Sequence, residues 1–341
     1  MPGARAYLDA LDESWTQRAE RETSATAHVD VAGWRLRVDG VPTAIADAVT
    51  GAFDHAVDAR PDPPDLHVRI AAGTPPEMPR AADWGDLDRL HFDDGRIEIH
   101  TAPNAPLSVL DHTRARAVCW FPEPELPYWE LGAPLRTVLA WFALRRSAFL
   151  AHGAAVAEDG RAVLLLGPGG AGKTTTALAA WSEGMDYLGD DYVLVKVGPR
   201  VAVARAYATA KADAGTAALL PNLADLGTPV PLLPDRSAGD DKTVLQLRGA
   251  PGLEVGEAEL AAIVVPCVAA EAGLEAIEPA AALRAAAPST LFQLPTDRGV
   301  AFPMLADVVR RTPCFALATG PDPRAAAALV RGLLHDERTD P

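Results

Sequence analysis

Hydrophobic and polar positions alternate along several short segments of the chain. Val29 to Val38 (VDVAGWRLRV) reads as a strand, and Asp39-Gly40 follows it as a turn signal. Thr43 to Val57 carries apolar residues at helical spacing, whereas Leu66 to Ile70 and Ile97 to Ile99 alternate like half-buried strands. From Leu131 to Leu150 a helical period places Leu135, Val138, Leu139, Phe142 and Leu150 on one side. Two apolar runs, Ala151 to Ala157 and Ala162 to Leu166, then flank Asp159-Gly160. That pair predicts a hairpin, because a type I′ turn needs positive φ at both central residues. A helix is predicted from Thr174 to about Glu183, with Gly184 placed to end it. Strands follow at Leu188 and Tyr192 to Val197, then at Thr243 to Leu247, Ala261 to Val265 and Phe315 to Ala318. Helices are predicted over Met304 to Arg311 and Pro323 to Leu334. Residues 1–25 read as a polar leader compatible with a helix. Val201 to Pro234 shows little periodicity, and Arg236 to Lys242 reads as a polar loop.

Proline-rich connections at Pro61 to Pro64, Gly73 to Ala82 and Pro122 to Pro127 punctuate the first part of the chain. These features predict an α/β protein in two parts: an α+β accessory or substrate region over 1–130, and a catalytic domain over 131–341. Composition fits folded domains, with 49% hydrophobic and 23% charged residues in 341. The balance of 31 basic to 46 acidic residues gives a net charge of −15, which argues against nucleic acid as a partner. Cys119, Cys267 and Cys314 show no metal-ligand spacing and read as buried small hydrophobes in a reducing compartment. The first residues carry Arg5, Asp9, Asp12 and Glu13 without an uninterrupted apolar run, and no stretch is long and apolar enough for a membrane span. The expectation is a cytoplasmic protein without membrane contact, with homo-oligomerisation left open.

The chemistry begins at Gly167-Pro-Gly-Gly-Ala-Gly172-Lys173-Thr174, which fits G-x-x-x-x-G-K-[ST] at every fixed position. Glycines let backbone N–H groups converge on phosphate oxygens without Cβ obstruction, and the following helix turns its positive end to the same anion. The pattern sits between an apolar strand and a helix, as the motif requires. Gly167, Gly169, Gly170, Ala171, Gly172, Lys173, Thr174 and Thr175 are therefore the candidate ATP-binding residues. Lys173 is expected to reach the β- and γ-phosphates, and the Thr174 hydroxyl to ligate Mg²⁺.

Asp190 follows Lys173 by 17 positions and Asp191 by 18, room for one short helix and a return to the mouth of the sheet. Adjacent carboxylates there can be a solvated turn, but beside a P-loop they supply what a kinase needs, a metal ligand and a base. If Asp159-Gly160 closes the hairpin, opposed residues have numbers summing to 319, and His152 faces Gly167. That register brings a titratable ring to the phosphate site. Lys242, on the polar loop, is a candidate for the γ-phosphoryl group or a solvated lysine, and Lys211 shares the ambiguity with less context.

The segment HGAAVAEDGRAVLLLGPGGAGKTTTALAAWSEGMDYLGDDYVLV resembles the catalytic core of bacterial HPr kinase/phosphorylase and its relatives. That family has a His-Gly strand, a hairpin, a P-loop, one helix and an Asp-Asp pair at matching intervals. The resemblance implies a P-loop core akin to phosphoenolpyruvate carboxykinase, with a mixed, partly antiparallel sheet. It implies Asp191 as general base, Asp190 beside the metal and His152 as an active-site histidine. The chain departs from the family where a Glu-x-Arg-Gly signature is expected: Gln246-Leu-Arg248-Gly249 comes much later and lacks the carboxylate.

The expectation is an ATP-dependent kinase acting with Mg²⁺ on a hydroxyl acceptor, either Ser or Thr of a protein or peptide, or a small-molecule alcohol. Two other readings stand beside it: an ATP-binding sensor that transfers nothing, and a carboxykinase-like enzyme or ATPase. Adjacent aspartates favour transfer, because a sensor needs no base.

Overall fold

The computed structural model describes residues 3–53, 63–77, 90–92, 96–102, 105–126, 128–223, 227–229, 242–247 and 249–335. It divides into two compact units, Met1–Phe142 and Ala143–Pro341, and both are mixtures of helix and strand.

In the first unit, helix α1 (Gly3–Ala19) precedes strands β1 (Ala25–Val31) and β2 (Trp34–Val41) and helix α2 (Thr43–Thr50). Strands β3 (Leu66–Ala72), β4 (Leu90–Phe92), β5 (Ile97–His100), β6 (Leu107–Asp111) and β7 (Arg116–Phe121) follow. Two short helices, α3 (Tyr128–Gly132) and α4 (Arg136–Leu144), come next. The seven strands lie in the order β1-β2-β3-β7-β6-β5-β4, parallel at β2/β3 and β3/β7 and antiparallel elsewhere. Apolar side chains of α1, including Tyr7, Leu8, Leu11 and Trp15, bury one face of this sheet. The leader is thus an amphipathic helix whose apolar positions only a tertiary partner reveals.

Two features here correct the pattern-based reading. Val29 to Val38 is a hairpin, because Ala32 and Gly33 take positive φ (54° and 87°) and turn the chain back on itself. Asp39-Gly40 lies inside β2. Gly40 is there for close approach: a Cβ on it would come 2.5 Å from the Cβ of Ala46 in α2. Asp39 is buried and accepts from Thr26, Arg37 and His67.

The second unit opens with β8 (Ala148–Ala151), β9 (Gly153–Glu158) and β10 (Arg161–Leu166), then α5 (Lys173–Ser182), β11 (Asp186–Gly189) and β12 (Val193–Val197). It continues with β13 (Val201–Ala204), β14 (Thr209–Ala212), α6 (Ala214–Leu219), β15 (Thr228–Pro229), β16 (Thr243–Gln246), β17 (Glu257–Cys267) and β18 (Ala272–Ala276). Helices α7 (Pro279–Phe292) and α8 (Arg298–Arg311), strand β19 (Cys314–Thr319) and helix α9 (Pro323–His335) complete it.

Nine of these strands form one mixed sheet, β11-β9-β10-β17-β13-β12-β8, with β19 on the C-terminal half of β17 and β18 beyond it. Strands β10, β17 and β19 run parallel and the other pairs are antiparallel, a mixed and partly antiparallel arrangement. Alternate residues bury opposite faces, as the two-residue period of a strand demands. Val163 and Leu165 join the core with α5 and α9, while Ala162 and Leu164 join the core with α7 and α8. A small antiparallel sheet, β14-β16-β15, is not hydrogen-bonded into the large one but shares the core with α5.

The predicted helix over Leu131 to Leu150 is corrected. It breaks around Pro134, which has no N–H to give, and Leu135, at φ 58°. It ends at Leu144, and Ala148–Ala151 is a strand paired with β12. The helix before β19 is longer than predicted, beginning at Arg298, and α7 was not legible as a helix. Cys267 is exposed, unlike buried Cys119 and Cys314. Among the described residues no helix is long and apolar enough to cross a membrane. The predicted polar loop lies outside the described residues except for Lys242.

The close approach at Gly40 generates a prediction. Gly40→Ala forces α2 away from β2 and costs about 1–3 kcal/mol, read as a lower urea midpoint. An unchanged midpoint contradicts the packing described.

Candidate functional site

The site is built where β8 passes into β9. Asp159 and Gly160 close the β9–β10 hairpin with φ 50° and 78°, the two positive values of a type I′ turn. The ladder pairs Arg161 with Glu158 and ends at Leu166 opposite Gly153, the predicted register. His152 is the one residue between β8, which pairs with β12, and β9, which pairs with β10 and β11. It therefore sits where the apolar run changes partners, next to the end of the strand that enters the glycine-rich loop.

Gly167 to Gly172 connect β10 to α5. Gly167, Gly170 and Gly172 hold positive φ (148°, 75° and 99°), which only glycine takes freely. At Gly169 and Gly170 a Cβ would meet nothing within 4 Å, so this face of the loop lies open to a ligand. The Lys173 ammonium is turned back onto the loop, donating to the carbonyls of Gly167 and Pro168 at 2.9 Å each. Burial lowers its pKa, and the charge of Lys242 adds to that against the pull of Asp190 and Asp191.

The two aspartates face different surroundings. Asp190 is buried, and its Oδ1 accepts from the Thr174 hydroxyl at 2.8 Å while Oδ2 accepts from the Lys211 backbone N–H at 3.2 Å. Burial raises its pKa and the neighbouring charge of Asp191 raises it further, against those hydrogen bonds. Asp191 takes φ 65°, a left-handed conformation that Asp and Asn tolerate better than most residues. This turn points the adjacent carboxylate to different partners: Lys211 Nζ lies 2.6 Å from Oδ2 and His152 Nε2 3.3 Å from Oδ1. Burial alone would raise the pKa of Asp191, but the Lys211 charge and the His152 contact outweigh it and hold the carboxylate well below its usual range.

An ionised carboxylate only accepts, so the hydrogen between Asp191 and His152 belongs to His152 Nε2. His152 Nδ1 is buried without a hydrogen-bond partner among the described residues. The His152 ring meets Tyr192 edge-on at 5.6 Å between centroids, and the Tyr192 hydroxyl donates to Gln293 at 3.1 Å. Gln293 caps α7, and within α7 the Ser289 hydroxyl lies 3.3 Å from the Gly167 carbonyl and 3.2 Å from the Ala286 carbonyl of its own helix, either of which can accept its proton. Thr175 Oγ1 and Thr216 Oγ1 lie 2.9 Å apart, joining α5 to α6.

The structure thus gathers Gly167 to Thr175, His152, Asp190 and Asp191 at one end of the sheet. Lys242 is exposed just before β16, and its charge is felt at Lys173 and Asp213, but no hydrogen bond or ion pair joins it to the P-loop or the aspartates among the described residues. Sequence reasoning undervalued Lys211 and passed over Tyr192, Ser289 and Gln293. Lys211 did leave a trace: it is the lone charge in the run Ala206 to Ala212, whose last four residues form β14.

The residues suit a nucleotide and a divalent cation on two observations: the open glycine face, and a hydroxyl and a carboxylate already side by side at Thr174 and Asp190. Among the described residues no group of three or more His, Cys, Asp or Glu could hold a metal by itself. Thr174 and Asp190 could share a cation only with ligands from elsewhere.

Compared with known protein families the chain matches none, and it matches no curated protein. Among solved structures it is similar to the Hpr(Ser) kinase/phosphatase from Coxiella burnetii, at 11% sequence identity, over 38% of this chain and 76% of that one, with a TM-score of 0.23.

The Lys211–Asp191 pair has a measurable signature. Lys211→Met strands a largely buried carboxylate and is expected to lower stability by about 3 kcal/mol near neutral pH. A carboxylate whose folded pKa is depressed contributes stability above its unfolded pKa and loses it as pH falls through the folded value. The difference from wild type therefore narrows below about pH 4. Urea unfolding across pH checks this; a gap that does not change with pH contradicts the pairing.

Proposed function

We propose that the chain is an ATP-dependent kinase that transfers the γ-phosphoryl group to a hydroxyl acceptor, a Ser or Thr of a polypeptide or a small-molecule alcohol. The observation that carries this reading is the division of the aspartate pair, Asp190 turned to the P-loop hydroxyl and Asp191 turned to Lys211 and His152. A protein that only binds nucleotide has no use for a second, ionised carboxylate aimed away from the loop.

In this mechanism Lys173 leaves the Gly167 and Pro168 carbonyls for phosphate oxygens, and the backbone N–H groups of the loop hold the β- and γ-phosphates. Thr174 and Asp190 would hold Mg²⁺, which neutralises charge on those oxygens when bound. The acceptor hydroxyl donates to Asp191. Its oxygen forms the new bond to phosphorus as the bond to the ADP oxygen breaks, and the hydroxyl proton passes to Asp191. A carboxylate held at low pKa is a weak base, which suits a loose transition state in which the proton moves late. Lys211 keeps Asp191 ionised until then, and the His152 Nε2–H fixes the carboxylate's orientation. Lys242, exposed near Lys173, is the further cation that could meet the γ-phosphoryl group.

Asp191→Asn keeps the left-handed turn and removes the base. We expect ATP affinity within about twofold of wild type and phosphoryl transfer reduced by about 10²–10⁴, measured by ADP release with a panel of peptides and alcohols. Retained transfer removes Asp191 from the base role. Wild-type binding without any turnover supports the sensor, and ADP release without a phosphorylated acceptor supports the ATPase.

Lys173→Ala removes the phosphate-binding ammonium. A weakening of ATP binding or turnover by at least about tenfold is expected; calorimetry and turnover both unchanged sink the P-loop assignment.

A further inference from the structure

Strands β10, β17 and β19 run parallel, so the glycine-rich loop that leaves β10 shares its end of the sheet with the turns that leave β17 and β19. In open α/β sheets, ligands bind beyond the carboxyl ends of such strands. Close contacts join the three segments here. A Cβ on Gly167 would lie 3.7 Å from Val265 Cγ1 and 4.0 Å from Pro266 Cδ, and one on Gly172 would lie 3.2 Å from Thr319 Cγ2. The Thr319 hydroxyl donates to the Cys267 carbonyl at 3.4 Å. Gly320, at φ 64°, lets the turn after β19 close on β18, since a Cβ there would come 2.8 Å from the Ala272 nitrogen. Residues 267–271 and 319–322 thus form one rim against the glycine-rich loop.

The two flanks of that loop differ in chemistry. On the β9 and β11 side stand His152, Asp190 and Asp191, with Lys211 beside them. On the β17 and β19 side, residues 267–271 and 319–322 contain no Lys, Arg or His. They present the side chain of Val268, 74% exposed, the exposed Cys267, and the exposed residues Glu271 and Asp322. Carboxylates without a cation repel phosphate, but they accept from hydroxyls. The rim therefore suits an uncharged group with an apolar face and donating hydroxyls. A triphosphate whose γ end faces the aspartates sends its other end to this side.

We infer that the rim is a nucleoside subsite: the base of the donor lies on Val268 beside Cys267, and its ribose faces the rim carboxylates. The inference rests on the P-loop reading and extends it from the phosphates to the rest of the nucleotide.

Cys267 reports on its own subsite. Burial pushes the Cys119 thiol up to about 12 and the Cys314 thiol up to about 11, so in the folded protein a thiol reagent such as dithionitrobenzoate meets Cys267 first. With Mg²⁺ present, saturating ATP is expected to slow that reaction at least about tenfold, because a seated nucleoside covers the thiol. Saturating inorganic tripolyphosphate, which lacks the nucleoside, should leave the rate unchanged. Val268→Ser should raise the Kd for ATP about five- to tenfold by removing the apolar contact, read by calorimetry. Its Kd for tripolyphosphate should stay at the wild-type value, which also shows that the variant is folded. ATP that binds without shielding Cys267, tripolyphosphate that shields it equally, or ATP affinity unmoved by Val268→Ser each overturn the subsite and leave the P-loop reading standing. Binding of neither compound to wild type removes the P-loop reading and this inference together.

Discussion

The site depends on the left-handed turn at Asp191. Neighbouring carboxylates in one extended strand would point to opposite faces and share no site. Side by side in a loop they would repel, and one would take up a proton. The positive φ at Asp191 sends its side chain to Lys211 and His152 while Asp190 stays against Thr174. The partners of the four oxygens come from three elements: Thr174 of α5, Lys211 of β14 through both its backbone N–H and its ammonium, and His152 at the β8/β9 junction. The separation of the two carboxylates therefore depends on all three arriving at one sheet end, and the core around β10 and β17 brings them there.

The same constraint explains the course of the chain around His152. The run from Ala148 to Glu158 serves three neighbours, β12 before His152 and β10 and β11 after it. A single residue is released from both ladders at the change of partner, and that residue is the histidine. On the opposite flank, Ser289 of α7 reaches the Gly167 carbonyl, and Gln293, which caps α7, accepts from Tyr192. The loop that would hold phosphate and the carboxylate that would receive the proton are thus braced by one helix.

Much of the site was legible in the sequence because its signals are local. The P-loop needs fixed glycine spacing, the Asp-Gly pair fixes a turn, and the turn fixes the register that places His152. Lys211 and α7 were harder for physical reasons. Lys211 reaches Asp191 across 20 residues of chain, from β14, a contact that no local period encodes. Helix α7 is alanine-rich with a proline inside it, so it shows no apolar stripe until the sheet covers it. The Asp39-Gly40 pair misled for the converse reason: a glycine required for close approach to α2 looks like a glycine required for a turn. The helix expected over Leu131 to Leu150 failed because the apolar period of a buried strand continued the period of the helix before it, across Ser147 at φ 52°.

The most direct measurement is a ¹³C carboxyl titration of the aspartates in the free protein, with Asp190 and Asp191 assigned by Asn substitution. The account predicts that Asp191 stays ionised to well below the ordinary carboxylate range while burial and the Asp191 charge raise the point at which Asp190 takes up its proton. Two carboxyls titrating together at an ordinary value would contradict the division of labour on which the proposed chemistry stands.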